Sequence, residues 1–484
     1  MAGIGFQLQK LFKEDYFSSR FKAYSISLIV TSGPWLIIIL ALSLTQRIIG
    51  NISVFPDETK ELLTISLSYC FIFSQLIFSV QHLTLTRYLA DQLYELKYER
   101  VIPSYVGLTK TSLLLAVVLV AFFMMVAKLP VYLELIIVAF FMIMLLIWNT
   151  FMFITALKDY KIVSIAFLIG GTIIVIGEFL VVFFSDITSY SVFLATSIFY
   201  IPFIVGMMVT LAILFVVLVR TFSYKGDERG LDYLTYIDYY PKFVIIGTLY
   251  TAGLWIANFV IWFGEGASEL YDFFIFNMTY DVPVFWSYLS IVPTLMFFVI
   301  SVETRFYERY RSFYGYINEG GSLQQIQRSK ERMIQVLKEE ILRLLRNQGV
   351  VTFMCIIAAS WIASLLQAGP EFVAIFRLTL IGAYFNAMIL VLQLLLLYFE
   401  DLKGAMITSI VFFVSILVLS IVLLPLGIKG YGLSFSIGSI LGFVYAAYRL
   451  NSYIQQVDYF AFTKKDKQQS IKIFGPLVKR VYED

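Results

Sequence analysis

Charge is what this chain has least of. Only 14% of its 484 residues are Asp, Glu, Lys or Arg, against roughly 25% in a typical soluble domain. Histidine occurs once, as His82, which excludes zinc sites built on several imidazoles. The two cysteines, Cys70 and Cys355, both fall in apolar runs, so they are expected to be small buried hydrophobes and not a disulfide or metal pair. There is no Gly-rich phosphate loop, no His-Glu-x-x-His helix, no Ser-His-Asp set and no paired-aspartate nucleotide-sugar site. These absences argue against an enzyme, a bound cofactor, a metal centre or a nucleic-acid partner. They also leave primary ATP-driven transport without an ATPase in this chain.

What is present is apolar: 60% hydrophobic residues and a mean hydropathy of +0.84. A soluble core cannot use that much apolar surface, so the fold class is all-α integral membrane protein. Counting runs of about 20 apolar residues gives twelve spans, near 24–49, 64–88, 104–126, 131–157, 162–184, 191–219, 240–263, 281–303, 347–367, 371–399, 404–425 and 430–453. Residues 1–22 read as an interfacial amphipathic helix with basic flanks. No cleavage pattern follows the first apolar run, so that run is expected to remain as the first span. If the N-terminus and alternate loops are cytoplasmic, those segments hold 30 Lys and Arg against 5 in the opposite loops. By the positive-inside rule both termini are then cytoplasmic.

The halves of the chain echo one another. Gly33-Pro34-Trp35 in the first span answers Gly253-Leu254-Trp255 in the seventh, and Thr86-Arg87-Tyr88 answers Thr304-Arg305-Phe306. Leu157-Lys158-Asp159-Tyr160 answers Glu400-Asp401-Leu402-Lys403. A duplicated six-helix unit of like orientation follows, an arrangement that in transporters places the substrate path at the repeat interface. The expected organisation is an interfacial segment (1–22), an N-terminal bundle (23–220), a linker (221–239), a C-terminal bundle (240–457) carrying a polar arm (304–346), and a basic tail (458–484).

Polar groups at membrane depth are rare enough to be candidates individually. Glu178 in the fifth span reads as a cavity carboxylate or as a protonated glutamate. Gln75, Gln81 and His82 on the second span read as ligands or as interhelical glue. Asn149, Asn258, Asn386 and Gln393 invite the same choice. Arg87 and Arg305 close their spans and can snorkel; Arg87 can pair with Asp91 one turn on. Glu303 lies two residues before Arg305, and Asp281 begins the eighth span where a helix N-terminal carboxylate is favourable. These residues are the substrate-path candidates. Glu265, Glu269 and Asp272 lie in the largest predicted outer loop and form a candidate acidic vestibule. Prolines such as Pro293 are expected to kink their helices. In the arm, Ile326, Met333, Ile334, Leu337, Ile341, Leu344 and Leu345 form one stripe. It reads as an interfacial helix on anionic lipid or as a docking surface, for which Arg309, Arg311, Tyr314, Arg328, Lys330 and Arg332 are the candidates.

Several of these stretches, in order along the whole chain, carry a family resemblance: Met1-Ala2-Gly3-Ile4-Gly5-Phe6, Ser32-Gly33-Pro34-Trp35, Thr86-Arg87, Leu254-Trp255 with Trp262, Tyr280-Asp281-Val282-Pro283, Val302-Glu303-Thr304, and the aromatic-basic run to Tyr314. Together they resemble the PelG-type inner-membrane proteins of Pel exopolysaccharide systems. The resemblance implies a polysaccharide-flippase-like exporter of the multidrug/oligosaccharidyl-lipid/polysaccharide superfamily, with two six-helix bundles, in the inner membrane of a bacterium. It also implies a polysaccharide substrate, contact with membrane lipid, a cytosolic glycosyltransferase, a cyclic-di-GMP-binding membrane receptor and a scaffold subunit, and a part in making biofilm matrix. An acidic vestibule would suit the cationic, amino-sugar-rich polymer those systems make. The competing readings are a lipid-linked oligosaccharide flippase, a cation-coupled antiporter, and a non-transporting membrane scaffold for a cytosolic synthase.

Overall fold

The computed structural model describes residues 57–157, 160–184, 190–222, 229–300, 305–463 and 473–483. The interfacial segment 1–22, the first predicted span 24–49 and the Gly33-Pro34-Trp35 motif lie outside these residues, as do Asp159 and Glu303. In chain order the helices are α1 (Asp57–Tyr94), α2 (Val101–Val126), α3 (Val131–Leu157), α4 (Tyr160–Phe184), α5 (Val192–Thr221), the short α6 (Thr235–Tyr239) and α7 (Pro241–Ile261). A two-stranded hairpin follows, β1 (Ser268–Leu270) with β2 (Phe274–Phe276). Then come α8 (Met278–Leu289), α9 (Val292–Ile300), α10 (Tyr307–Asn318), α11 (Leu323–Leu365), α12 (Pro370–Tyr398), α13 (Leu402–Leu423), α14 (Leu433–Gln455), α15 (Val457–Thr463) and α16 (Phe474–Glu483). Among the described residues, eleven helical stretches are long and apolar enough to cross a membrane. The protein is therefore an all-α, multi-pass membrane protein.

The described chain falls into two compact units. The first holds α1 to α6, α7 as far as Ala252, the hairpin, and α16. Its helices approach closely through small residues. A side chain at Gly170 would stand 2.6 Å from the Gly206 carbonyl oxygen, and one at Gly177 would stand 2.8 Å from Pro202 Cβ. Helices in lipid gain no hydrophobic drive from each other, so such close backbone packing is what binds α4 to α5. The hairpin seals one end of this unit. Its three-residue turn, 271–273, carries Tyr271 and Asp272 at φ 54° and 56°, both in the left-handed region. Phe274 and Phe276 are buried, and Tyr69 both donates to the Ile275 carbonyl (2.7 Å) and accepts from its N–H (3.0 Å). At α6, Asp238 accepts the N–H groups of Ile473 (3.2 Å) and Gly475 (2.9 Å), capping α16. Val478 is buried in a cluster with Tyr88, Tyr105, Phe222 and Tyr233.

The second unit holds α7 from Gly253 and α8 to α15. Three of its features depart from the sequence reading. First, the eighth span is two helices. α8 stops at Leu289 and α9 restarts at Val292, so Pro293 occupies the first turn of a new helix, where its missing N–H costs nothing. Second, the amphipathic second part of the arm and the ninth span are a single helix, α11, of 43 residues, opened by a capping box between Ser322 and Gln325. Third, the arm's apolar stripe is spent inside the unit: Ile326, Met333, Leu337 and Leu344 are buried, as are Phe306 and Phe313 on the facing segment. The remaining stripe residues, Ile334, Ile341 and Leu345, are half-buried, so most of the stripe is covered within the unit.

Candidate transport site

In the first unit the polar side chains of α1 form a connected line. Trp148 Nε1 donates to Ser74 Oγ (3.2 Å), and Phe78 stacks against both Trp148 and His82. His82 Nδ1 lies 3.0 Å from the Ser79 carbonyl oxygen. A carbonyl only accepts, so Nδ1 carries a proton. α7 passes so near that a side chain at Gly247 would stand 2.9 Å from His82 Cε1. Gln81 is buried and accepts at Oε1 from Thr111 (2.8 Å) and Tyr233 (2.6 Å), while its Nε2 donates to nothing. Asn149 is fully buried; its Oδ1 lies 3.5 Å from Ser112 Oγ and its Nδ2 has no partner. Glu178 is 0% exposed, and neither carboxyl oxygen has a hydrogen-bond partner. Gln75 is half-buried on the same helix as His82.

Arg87 pairs with Asp91 (3.4 Å), as the four-residue spacing predicts, and its guanidinium sits 5.9 Å from the Tyr240 ring centroid. Tyr236 also donates to Asp91 (3.1 Å). On the hairpin, Glu269 is exposed and Asp272 binds Lys128 (2.5 Å). That hydrogen bond holds the Lys128 ammonium above its ordinary pKa.

In the second unit the most elaborate polar centre surrounds Asp281 in the first turns of α8. Asn258 Nδ2 donates to Oδ1 (2.7 Å), Trp262 Nε1 to Oδ2 (2.9 Å), and the Asn277 backbone N–H to Oδ2 (3.0 Å). Asn277 gives its own amide to the Glu265 carbonyl (2.9 Å), which also accepts from Tyr431 (2.7 Å). The Glu265 carboxylate accepts the Ile428 N–H (3.1 Å) beside Gly427, whose φ of 60° lets the backbone approach it. Of the four acidic groups assigned to the vestibule or beside it, Glu265, Asp272 and Asp281 thus already hold partners within their own units.

Deeper in the second unit, Gln348 bridges the break between α8 and α9. It is 0% exposed, donates to the Ser290 carbonyl (2.8 Å) and accepts from the Thr294 hydroxyl. Gln393 donates to Ser409 (3.0 Å) and Asn386 is buried. Asp401, one end of the repeated motif, binds Arg449 through both oxygens (2.6 and 2.9 Å) and caps α13 at Gly404. At the base of the arm, buried Glu340 joins Arg343 (2.6 Å) and Arg305 (3.3 Å). Arg309 and Arg332 line an open groove with Gln335, Val336 and Glu339, and Arg311 and Arg328 are exposed nearby. Lys330 instead binds Asp458 and the Gln455 carbonyl, both at 2.7 Å. Tyr314 turns inward against Tyr310, with ring centroids 4.6 Å apart.

The sequence reading passed over Gln348, Glu340, Trp262, Asn277 and Tyr233. Trp262 was within reach, because it lies four residues from Asn258 on one face of α7. Asn277 and Tyr233 act across loops and carry no spacing signal.

Comparison with protein-family models matches residues 1–462 to PelG, described as an exopolysaccharide exporter (EPS-E). No curated protein matches the chain. Among solved structures, the fold is similar to a MATE protein in its straight conformation (TM-score 0.59, 13% identity, 91% of this chain and 97% of that one). It is also similar to an outward-facing MATE-family transporter of the MOP superfamily (0.57, 12%, 90% and 97%). The lipid II flippase MurJ, in an inward closed conformation, is similar as well (0.50, 12%, 93% and 96%). At these identities the likeness is one of fold.

Proposed function

Because the chain belongs to the PelG family of exopolysaccharide exporters, we propose that this membrane transporter moves a Pel-type exopolysaccharide across the inner membrane of a bacterium. Both termini and the arm face the cytoplasm, and the polymer arrives from a cytosolic glycosyltransferase held at the arm. Receptor and scaffold subunits complete the assembly, whose product is biofilm matrix. One observation carries the arm's part in this. Most of its apolar stripe is covered within the unit, while Arg309, Arg311, Arg328 and Arg332 stay exposed. A surface lipid helix keeps its apolar face for the membrane. This one leaves four arginines exposed, which favours an acidic protein surface and sets association rate and register.

The test is reconstitution of the full chain in vesicles, with and without its synthase, followed by assay of polymer inside and outside. Export is expected only when both are present, and R328E/R332E is expected to weaken synthase capture while leaving thermal stability unchanged. Synthesis that stays on the synthase side would leave the protein a scaffold and overturn the transport reading. Undiminished capture by R328E/R332E would remove the arm from the partner contact.

A further inference from the structure

Among the described residues, no basic side chain pairs with the carboxyl group at the start of α8. The partners of Asp281 there are the N–H groups of Asn258, Trp262 and Asn277. Each of these can only donate, and together they serve both carboxyl oxygens, which is the pattern an ionised carboxylate accepts. A carboxylate offers about four acceptor positions, so three donors leave room for one more partner.

The neighbouring amides are wired so that oxygen, and not nitrogen, is left over. Asn277 points Nδ2 at the Ile261 carbonyl (3.3 Å) and the Glu265 carbonyl (2.9 Å), which fixes the orientation of its amide. Its Oδ1 then has no donor, although the residue is 0% exposed. Asn258 points Nδ2 at Asp281; its Oδ1 is also without a donor, in a residue 4% exposed. The hydroxyl of Tyr280, in a fully buried side chain adjacent in sequence to Asp281, is unpartnered too. Buried acceptors are ordinarily satisfied. Two residues that hydrogen-bond Asp281, Asn258 and Asn277, thus each keep an amide oxygen that lacks a positive partner.

We propose that Asp281, Asn258 and Asn277 bind a monovalent alkali cation, of sodium type, between the ends of α7 and α8. The donor set is all oxygen, which suits hard cations and not soft transition metals. Only one carboxylate is present, and among the described residues no group of three His, Cys, Asp or Glu side chains converges. One negative charge balances a single positive one. The burial of both asparagines fits a bare ion better than a substituted ammonium. The bound ion would tie the two helix ends together through their side chains, and this holds whether or not the export reading is right.

The experiment uses the full chain, purified in choline chloride and placed in lipid nanodiscs. Thermal unfolding is followed while LiCl, NaCl, KCl, CaCl2 or glucosamine hydrochloride replaces choline at constant ionic strength. A saturable rise in midpoint is expected with sodium, with a smaller one for potassium and none for glucosamine. D281N should abolish the response. N258A, which removes one neutral ligand, should raise the half-saturating sodium concentration about ten-fold or more. E269Q, on the hairpin, should respond as the wild type does. Equal midpoints in sodium and choline for the wild type overturn the proposal, as does a D281N response that matches the wild type. A response to calcium or glucosamine alone overturns the choice of ion. Should D281N fail to fold, N258A decides: an unchanged half-saturating concentration refutes the site.

Discussion

Gln348→Leu offers a quantitative test of how the interrupted eighth span is held. Gln348 keeps its volume on this substitution, so no large cavity term enters. It loses the bond to the Ser290 carbonyl (2.8 Å), the bond from the Thr294 hydroxyl, and a weaker contact with Thr352 (3.3 Å). The Thr294 hydroxyl can turn to a backbone carbonyl in its own helix. The Ser290 carbonyl has no such recourse, because the α8 ladder ends at that residue. A buried group left unsatisfied costs about 1–3 kcal/mol, while interhelical side-chain bonds in membranes average about 0.6 and reach about 1.7 kcal/mol. One orphaned carbonyl plus one lost side-chain bond therefore predicts a destabilisation of about 1.5–3 kcal/mol. Thr294→Val alone should cost about 0.6–1.7 kcal/mol, since Gln348 can still serve Ser290. A double-mutant cycle between the two should return a coupling of about 0.5–1 kcal/mol. Reversible unfolding in bicelles gives all four corners. A Gln348→Leu cost under about 0.5 kcal/mol would mean that the break is held by packing alone, and the reasoning from the orphaned carbonyl would be wrong.

Three further outcomes follow from the same geometry. Glu340→Gln should loosen the arm by about 1–2 kcal/mol, less than for a wholly enclosed pair because both arginines reach solvent; limited trypsin digestion at Arg328 and Arg332 should quicken. Burial, the largest single effect, pushes the Asp458 carboxyl up, but the Lys330 hydrogen bond and charge together with the backbone N–H groups of Asp458 and Tyr459 outweigh it, and the carboxyl is lowered. A lowered folded-state pKa gives stability that is present above the ordinary carboxylate range and lost as pH falls through it. Lys330→Met should therefore flatten that acid dependence, by only a few tenths of a kcal/mol given the exposure of the pair, as read from pH-scanned unfolding. Asp238→Ala removes the cap of α16 at a cost of about 0.5–2 kcal/mol, so amide exchange across 473–483 should accelerate while α1 to α5 keep their protection.

The spans were legible because each is a run of apolar residues long enough to cross a bilayer, which depends on composition more than on context. The failures share a cause as well. Between Arg346 and Val350 the sequence turns from polar to apolar, and that change was read as the end of one helix and the start of another. It marks a change of solvent, not of backbone, since α11 continues straight through Asn347 and Gly349. The break in the eighth span hid for the opposite reason. Pro293 signals a disturbance, but whether it kinks a helix or opens a new one depends on Gln348, 55 residues later. The hairpin strands are three residues each, below the length at which alternation can be recognised; their stability rests on Tyr69, some two hundred residues away. Lys330 and Tyr314 looked available because sequence shows charge and aromaticity, but not whether Asp458 or Tyr310 already uses them.

The same accounting ranks the membrane-level candidates better than residue type does. A polymer rich in hydroxyls needs hydrogen-bonding groups along its path, and a group whose bonds are all made inside its bundle offers none without first breaking one. His82 is held by Ser79 and stacked on Phe78, Arg87 by Asp91, and Gln348 by the helix break. Spare capacity remains at Gln81 Nε2, Asn149 Nδ2, Glu178, Asn258 Oδ1 and Gln393 Oε1. Glu178 stands apart within this group, because a lone ionised carboxylate in hydrocarbon is costly enough that the group neutralises instead. A proton on this carboxyl could leave only where water or a cation reaches it. Glu178→Gln keeps the shape and fixes the neutral state, so it should leave folding intact. If Glu178 ionises during the transport cycle, vesicle export should lose its dependence on pH. Export by E178Q with the wild-type pH profile would show that this carboxyl stays protonated throughout and serves only to pack α4.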